Sequence, residues 1–142
     1  MYERYTRQVL PTREYRELLG SAICVFNSNN AFIIENILRV DKKLNYNWHN
    51  LIDLTSGGLK HPIKNTITKI SNSSEIADLF EEIVKIRNRI IHSFQITNKE
   101  GEQILCTKDK DNKQYVISEE FLLDFIKKNE TLSTLLHSFR GY

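Results

Sequence analysis

A chain of 142 residues is the size of one compact domain: long enough to bury a core without disulfides or metals, too short for two ordinary domains. Its 40% apolar and 27% charged residues exclude the disordered class, and no stretch approaches the roughly 20 apolar residues of a membrane helix. A net charge of +2 excludes an argument for nucleic-acid binding from bulk charge, leaving only local clusters of lysine and arginine to make one.

The N-terminal "MYERYTRQVLPTREYRELL" has no apolar leader core, so a cytoplasmic protein is expected. From 12 to about 44 there is no proline, and Tyr15, Leu18, Ala22, Phe26, Ile33, Ile37 and Val40 recur at a helical period. This predicts one long helix with Thr12 as N-cap, loosened in the middle by Gly20 and by "NSNN" at 27–30, whose amides compete for backbone hydrogen bonds. A short helix is predicted over 48–54 and a turn at Gly57 and Gly58, and His61 is biased away from helix by the proline after it. In "SNSSEIADLFEEIVKIRNRIIHSF", Ser74 is the predicted N-cap, Glu75 suits the positive end of the helix dipole, and apolar residues keep helical spacing as far as Phe94. Two β-prone runs, 103–107 and 114–117, flank the turn-rich "KDKDNK" and predict a hairpin. Ser118 caps a last helix with Leu122, Phe125, Ile126, Leu132, Leu136 and Phe139 as its apolar set. The predicted fold is all-α: a single domain over 1–142, an antiparallel helical bundle with a small β-hairpin before the last helix.

Cys24 and Cys106 have no CxxC spacing and read as small buried hydrophobes. His49, His61 and His137 share no metal-ligand spacing, and "TSGG" at 55–58 lacks the Gly-Lys-Ser/Thr of a phosphate loop, so it reads as a turn. No metal and no cofactor are expected.

The chemistry lies in "IRNRIIHSF", 86–94. At about 100° per residue, the apolar positions from Ile76 to Phe94 cover roughly half the helix circumference, and Arg87 projects near the middle of that arc. Asn88 falls just past one edge, and His92 lies on the same side a turn further along. An arginine aimed into an apolar arc carries a large desolvation cost unless acceptors meet it. Two partners fit: an internal group such as Glu35 or a set of backbone carbonyls, or a substrate phosphate, which a planar guanidinium suits well.

Arg87-Asn88-Arg89-Ile90-Ile91-His92 resembles the R-N-x-x-x-H motif of the HEPN superfamily, compact helical bundles many of which are metal-independent ribonucleases of toxin-antitoxin, anti-phage and RNA-processing systems. The resemblance implies an HEPN-like bundle from about 12 to 139. It implies an endoribonuclease in which His92 takes the proton of an RNA 2′-hydroxyl as that group attacks the adjacent phosphate. Arg87 would stabilise the charge gathering on the phosphorus oxygens, and Asn88 would orient the ring or the phosphate. It further implies a homodimer with a composite active site and an antitoxin or regulatory protein as a second partner. In one toxin subgroup a tyrosine two residues after the histidine is modified by a nucleotidyltransferase; Phe94 stands there, so that control is not expected. The alternative within the same resemblance is a catalytically inactive module that binds a protein partner or a nucleotide.

Beyond the motif, Lys85, Arg89 and Lys64 are candidates for phosphate contacts that position RNA, with Lys60 and Lys69 as further cations of the same kind. Asn29 and Asn36 project into the apolar stripe of the first long helix, where buried amides need partners, and are candidates to support Arg87 from behind.

Overall fold

Three long helices and a small sheet carry the fold in the computed structural model, which describes residues 1–141. Helix α1, Arg13–Val40, runs unbroken for 28 residues, with the Thr12 hydroxyl accepting the Tyr15 N–H at 3.3 Å. The asparagine cluster expected to loosen it leaves its ladder intact: the Asn29 amide finds acceptors on the last helix, and the Asn30 side-chain oxygen accepts the Ser56 hydroxyl. Helix α1 ends four residues earlier than expected, at Val40, and the carboxylate of buried Asp41 accepts the Tyr46 N–H at 2.8 Å.

Helix α2, Trp48–Asp53, forms as predicted, with Asn47 accepting the Asn50 N–H. The stretch after it corrects the sequence reading. A 3₁₀ turn at Ser56–Leu59 leads into α3, Lys60–Ile63, which continues through a π-helical turn at Lys64–Thr68 into α4, Lys69–Ser71. His61 is therefore helical. Pro62 lies in the first turn of α3, where its fixed φ suits a helix. Asn72, in the left-handed region at φ 53°, stops the run.

Helix α5, Glu75–Ile91, begins where predicted, although Ser73 rather than Ser74 accepts the Glu75 N–H while the Ser74 hydroxyl donates to Asp78. It ends at Ile91, three residues short of the expected end. Phe94 instead opens strand β1, Phe94–Thr97, which pairs antiparallel with β2, Gln103–Lys108, in a register that sets Phe94 opposite Cys106 and Ile96 opposite Ile104. Strand β3, Gln114–Val116, pairs with the other side of β2, so the predicted hairpin is two-thirds of a three-stranded meander. Ser118 caps α6, Glu119–Arg140, by accepting the Phe121 N–H.

Successive long helices run antiparallel, as expected, but α1 and α6 run parallel. Tyr15 meets Ile117 at one end, Asn29 meets Asn129 in the middle, and Arg39 meets Phe139 at the other end. One apolar core fills the space between the three, with Phe26, Ile33 and Ile37 from α1, Phe80 and Ile83 from α5, and Phe125, Leu132 and Leu136 from α6. The sheet closes the end at which α1 starts, α5 finishes and α6 starts. Tyr15 fixes it there, its hydroxyl donating to the Ile117 carbonyl at 2.6 Å and accepting the Leu105 N–H at 3.3 Å. No helix among the described residues is long and apolar enough to cross a membrane.

Candidate active site

Every residue of the motif lies on the last two turns of α5 or on the join to the sheet. Ile83, Val84 and Ile90 are buried and clamp that end of the helix to the core. At the helix end the Ser93 hydroxyl and N–H both donate to the Ile90 carbonyl, at 2.6 and 3.3 Å. His92 is the C-cap residue, at φ −95° and ψ 21°, its backbone N–H still bonded to the Asn88 carbonyl at 3.0 Å. A single residue, Ser93, separates it from β1.

Arg87 is half-buried. Its guanidinium carbon lies 4.9 Å from the centroid of the Phe26 ring on α1, and Phe26 in turn stacks on Phe80 and Phe125 with centroids 6.2 and 6.3 Å away. A cation over a ring face at that distance is attracted by the ring quadrupole, which orients Arg87 without neutralising it. Among the described residues no carboxylate oxygen comes within 4.0 Å of it, and its Nε is buried with no hydrogen-bond partner. Desolvation pulls its pKa below the ordinary arginine value. Glu35, the internal carboxylate considered from sequence, pairs with Arg140 at the far end of the bundle.

Asn88 is half-buried and His92 exposed, and neither side chain bonds to another described residue. Four residues apart on one helical face, they are neighbours, and Arg87 lies about 100° round the axis from Asn88. An unneutralised cation, an amide and an unengaged imidazole thus lie within the last two turns of one helix and its C-cap, with Asn88 between the other two around the axis. Ile91 is 50% exposed and Phe94 40%, so the apolar arc that surrounds Arg87 is most exposed beside His92.

The other candidates separate into two groups. Lys85 and Arg89 lie next to the motif and, with Asn88, line an open pocket of about 340 Å³ whose fourth member is Lys110 from the β2–β3 turn. Arg89 also donates to the Lys108 carbonyl at 2.9 Å, tying α5 to the end of β2. Sequence reasoning missed Lys110, taking "KDKDNK" only as a turn; its three lysines were the available signal. Lys64 is exposed on the π-helical turn and does not line this pocket; nor does it line the neighbouring apolar pocket of about 190 Å³, where Lys60 meets Glu81 at 3.3 Å.

Asn29 and Asn36 do not support Arg87. The Asn29 amide donates to the carbonyl and side-chain oxygens of Asn129, at 2.8 and 3.0 Å, and joins α1 to α6. Asn36 lies ten residues beyond Phe26 on α1, about 15 Å along the axis, with its side-chain oxygen buried and unpartnered.

Cys106 is buried as expected, but Cys24 is exposed, and both are free thiols. His49 packs edge-on to Trp48, and His137 lies against Phe32. Among the described residues no three His, Cys, Asp or Glu side chains are grouped to hold a metal ion.

Compared with protein-family models, curated proteins and solved structures, the chain finds no match. Its chemistry therefore has to be argued from the site. An anion approaching over Asn88 would have on one side a cation that no described residue neutralises and, one turn on, the exposed ring of His92.

Proposed function

We propose that this protein is a metal-independent endoribonuclease of the HEPN type, acting as a homodimer in a toxin or anti-phage defence system. The observation that carries this reading is Arg87, half-buried and without a counter-charge among the described residues, on the same helix end as the exposed, unengaged imidazole of His92 five positions on. A structural arginine would have a carboxylate or carbonyl partner. An arginine whose partner is a substrate phosphate waits without one.

In the proposed reaction His92 accepts the proton of a ribose 2′-hydroxyl while its oxygen attacks the adjacent phosphorus. Negative charge grows on the non-bridging oxygens, where the Arg87 guanidinium stabilises it, and the Asn88 amide orients the phosphate or the ring. The 5′-oxygen leaves as the new phosphorus–oxygen bond closes a 2′,3′-cyclic phosphate, and it needs a proton as it goes. One chain brings one histidine to the motif, and the apolar side chains of Ile91 and Phe94 rim it. A second copy docked there would bring His92 of the partner subunit to the opposite side of the phosphate.

The test is incubation of purified protein with mixed RNA, with and without His92→Ala. Expected products carry a 2′,3′-cyclic phosphate, or its hydrolysis product, and a 5′-hydroxyl, while DNA and RNA with 2′-O-methyl at the scissile nucleotide stay intact. Fragments with 5′-phosphate and 3′-hydroxyl ends would mean that water was the nucleophile, and the mechanism would be wrong.

A further inference from the structure

The β2–β3 turn is built to hold a cation against the motif face of α5. The Asp109 side-chain oxygen accepts the N–H groups of Asp111 and Lys113, both at 2.9 Å, so this carboxylate is folded into its own turn. The Asp109 N–H donates to the Lys113 carbonyl, and Asn112, at φ 64°, donates its N–H to the Asp109 carbonyl. Lys108 is engaged by the Asn112 side chain at 2.8 Å. Lys110 is left as the turn's contribution to the pocket shared with Lys85, Asn88 and Arg89, whose lining holds three cations, one amide and no carboxylate. Glu81, which approaches Lys85 to 3.8 Å, is shared with Lys60 and leaves the pocket with positive charge in excess. Only one of the five N–H donors of Arg89 is taken, by the Lys108 carbonyl.

Asn88 belongs both to this pocket and to the motif, so the two are continuous along α5. A small anion would occupy one of them; a chain of phosphates would occupy both. We infer that the pocket of Lys85, Arg89 and Lys110 is a subsite for a second backbone phosphate of single-stranded RNA, adjoining the one that is cleaved, with Lys110 as a positioning residue. The identity of the ligand rests on the nuclease reading above.

The experiment is fluorescence anisotropy of the full-length His92→Ala protein with a short single-stranded oligonucleotide carrying 2′-O-methyl riboses, over a range of salt. Losing one phosphate contact to a single strand flattens the log–log salt dependence by about 0.7, so Lys110→Ala should weaken binding about fivefold at about 0.1 M salt, equally for different base sequences. Lys110→Arg should restore both values, and Lys43→Ala, outside the pocket, should change neither. In the unsubstituted protein, Lys110→Ala should raise KM for RNA more than it lowers kcat.

Wild-type affinity and slope in Lys110→Ala would overturn the subsite. So would a loss that depends on base identity, inorganic phosphate competing as well as the oligonucleotide does, or no oligonucleotide binding at all. Binding that depends on Lys110 in a protein that cuts no RNA would sink the nuclease reading and leave the subsite standing. Cleavage with no dependence on Lys110 would do the reverse.

Discussion

Arg87 and His92 differ in what they do to the fold, and that difference can be measured. Burial lowers the Arg87 pKa, so the folded state disfavours its charged form, yet at neutral pH the side chain is charged and the fold carries that penalty. Arg87→Met, which fills the same place above Phe26 with an apolar chain, should raise stability by about 0.5–1 kcal/mol, or about 2 °C in Tm, while abolishing cleavage. A drop of several degrees in scanning calorimetry would show that Arg87 has a structural partner after all. His92 is exposed and its side chain bonds to no other described residue, so His92→Ala should leave stability within about 0.5 kcal/mol of wild type and reduce cleavage at least about 100-fold. Full activity in that variant would remove the assigned role. Asn88→Ala should cost less activity than either, weakening cleavage without eliminating it.

At the level of elements, the join between α1 and the sheet depends on one hydroxyl. Tyr15→Phe would leave the half-buried Leu105 N–H without its acceptor and remove a donor from the buried Ile117 carbonyl, at a cost of about 1–3 kcal/mol in urea denaturation. Burial raises the Tyr15 pKa above its ordinary 10.0, so its stabilising contribution is complete below pH 10 and is lost as pH climbs through the raised value. Wild type should therefore lose stability more steeply above pH 10 than Tyr15→Phe does; parallel curves would contradict this. Elements with local punctuation were legible in the sequence: Thr12 and Ser118 cap real helices, and "KDKDNK" is a real turn. Two were not. The run from 60 to 71 carries a proline and β-branched residues that argue against helix, and its buried Ile63 and Ile67 override them. Strand β1 was hidden because Phe94 continues the apolar period of α5, and only pairing with β2, distant in the chain, assigns it to the sheet. The same distinction applies to the site. Arg87, Asn88 and His92 were legible as positions along one helix, whereas Lys110 joins them only because the sheet folds back against α5.

For the molecule as a whole, the proposed chemistry requires two copies. Light scattering at micromolar concentration should give a dimer, and Ile91→Glu, placing charge on the exposed apolar rim beside His92, should give an inactive monomer. Cleavage by a protein that stays monomeric would remove the composite site. Activity should also persist in EDTA, since the motif offers an arginine, an amide and an imidazole rather than a set of oxygen ligands for a divalent ion. Loss of cleavage that magnesium restores would point to another mechanism.

The parallel pairing of α1 with α6 also governs how the protein is made. Asn29 waits for Asn129, exactly a hundred positions later in the chain, and Phe26 has no Phe125 to stack on until α6 is synthesised. At about 5–20 residues per second, the apolar stripe of α1 stays open on the ribosome for about 5–20 s after it emerges. During that interval the aromatic floor beneath Arg87 is incomplete. The surroundings of Arg87 are therefore completed only once α6 has docked.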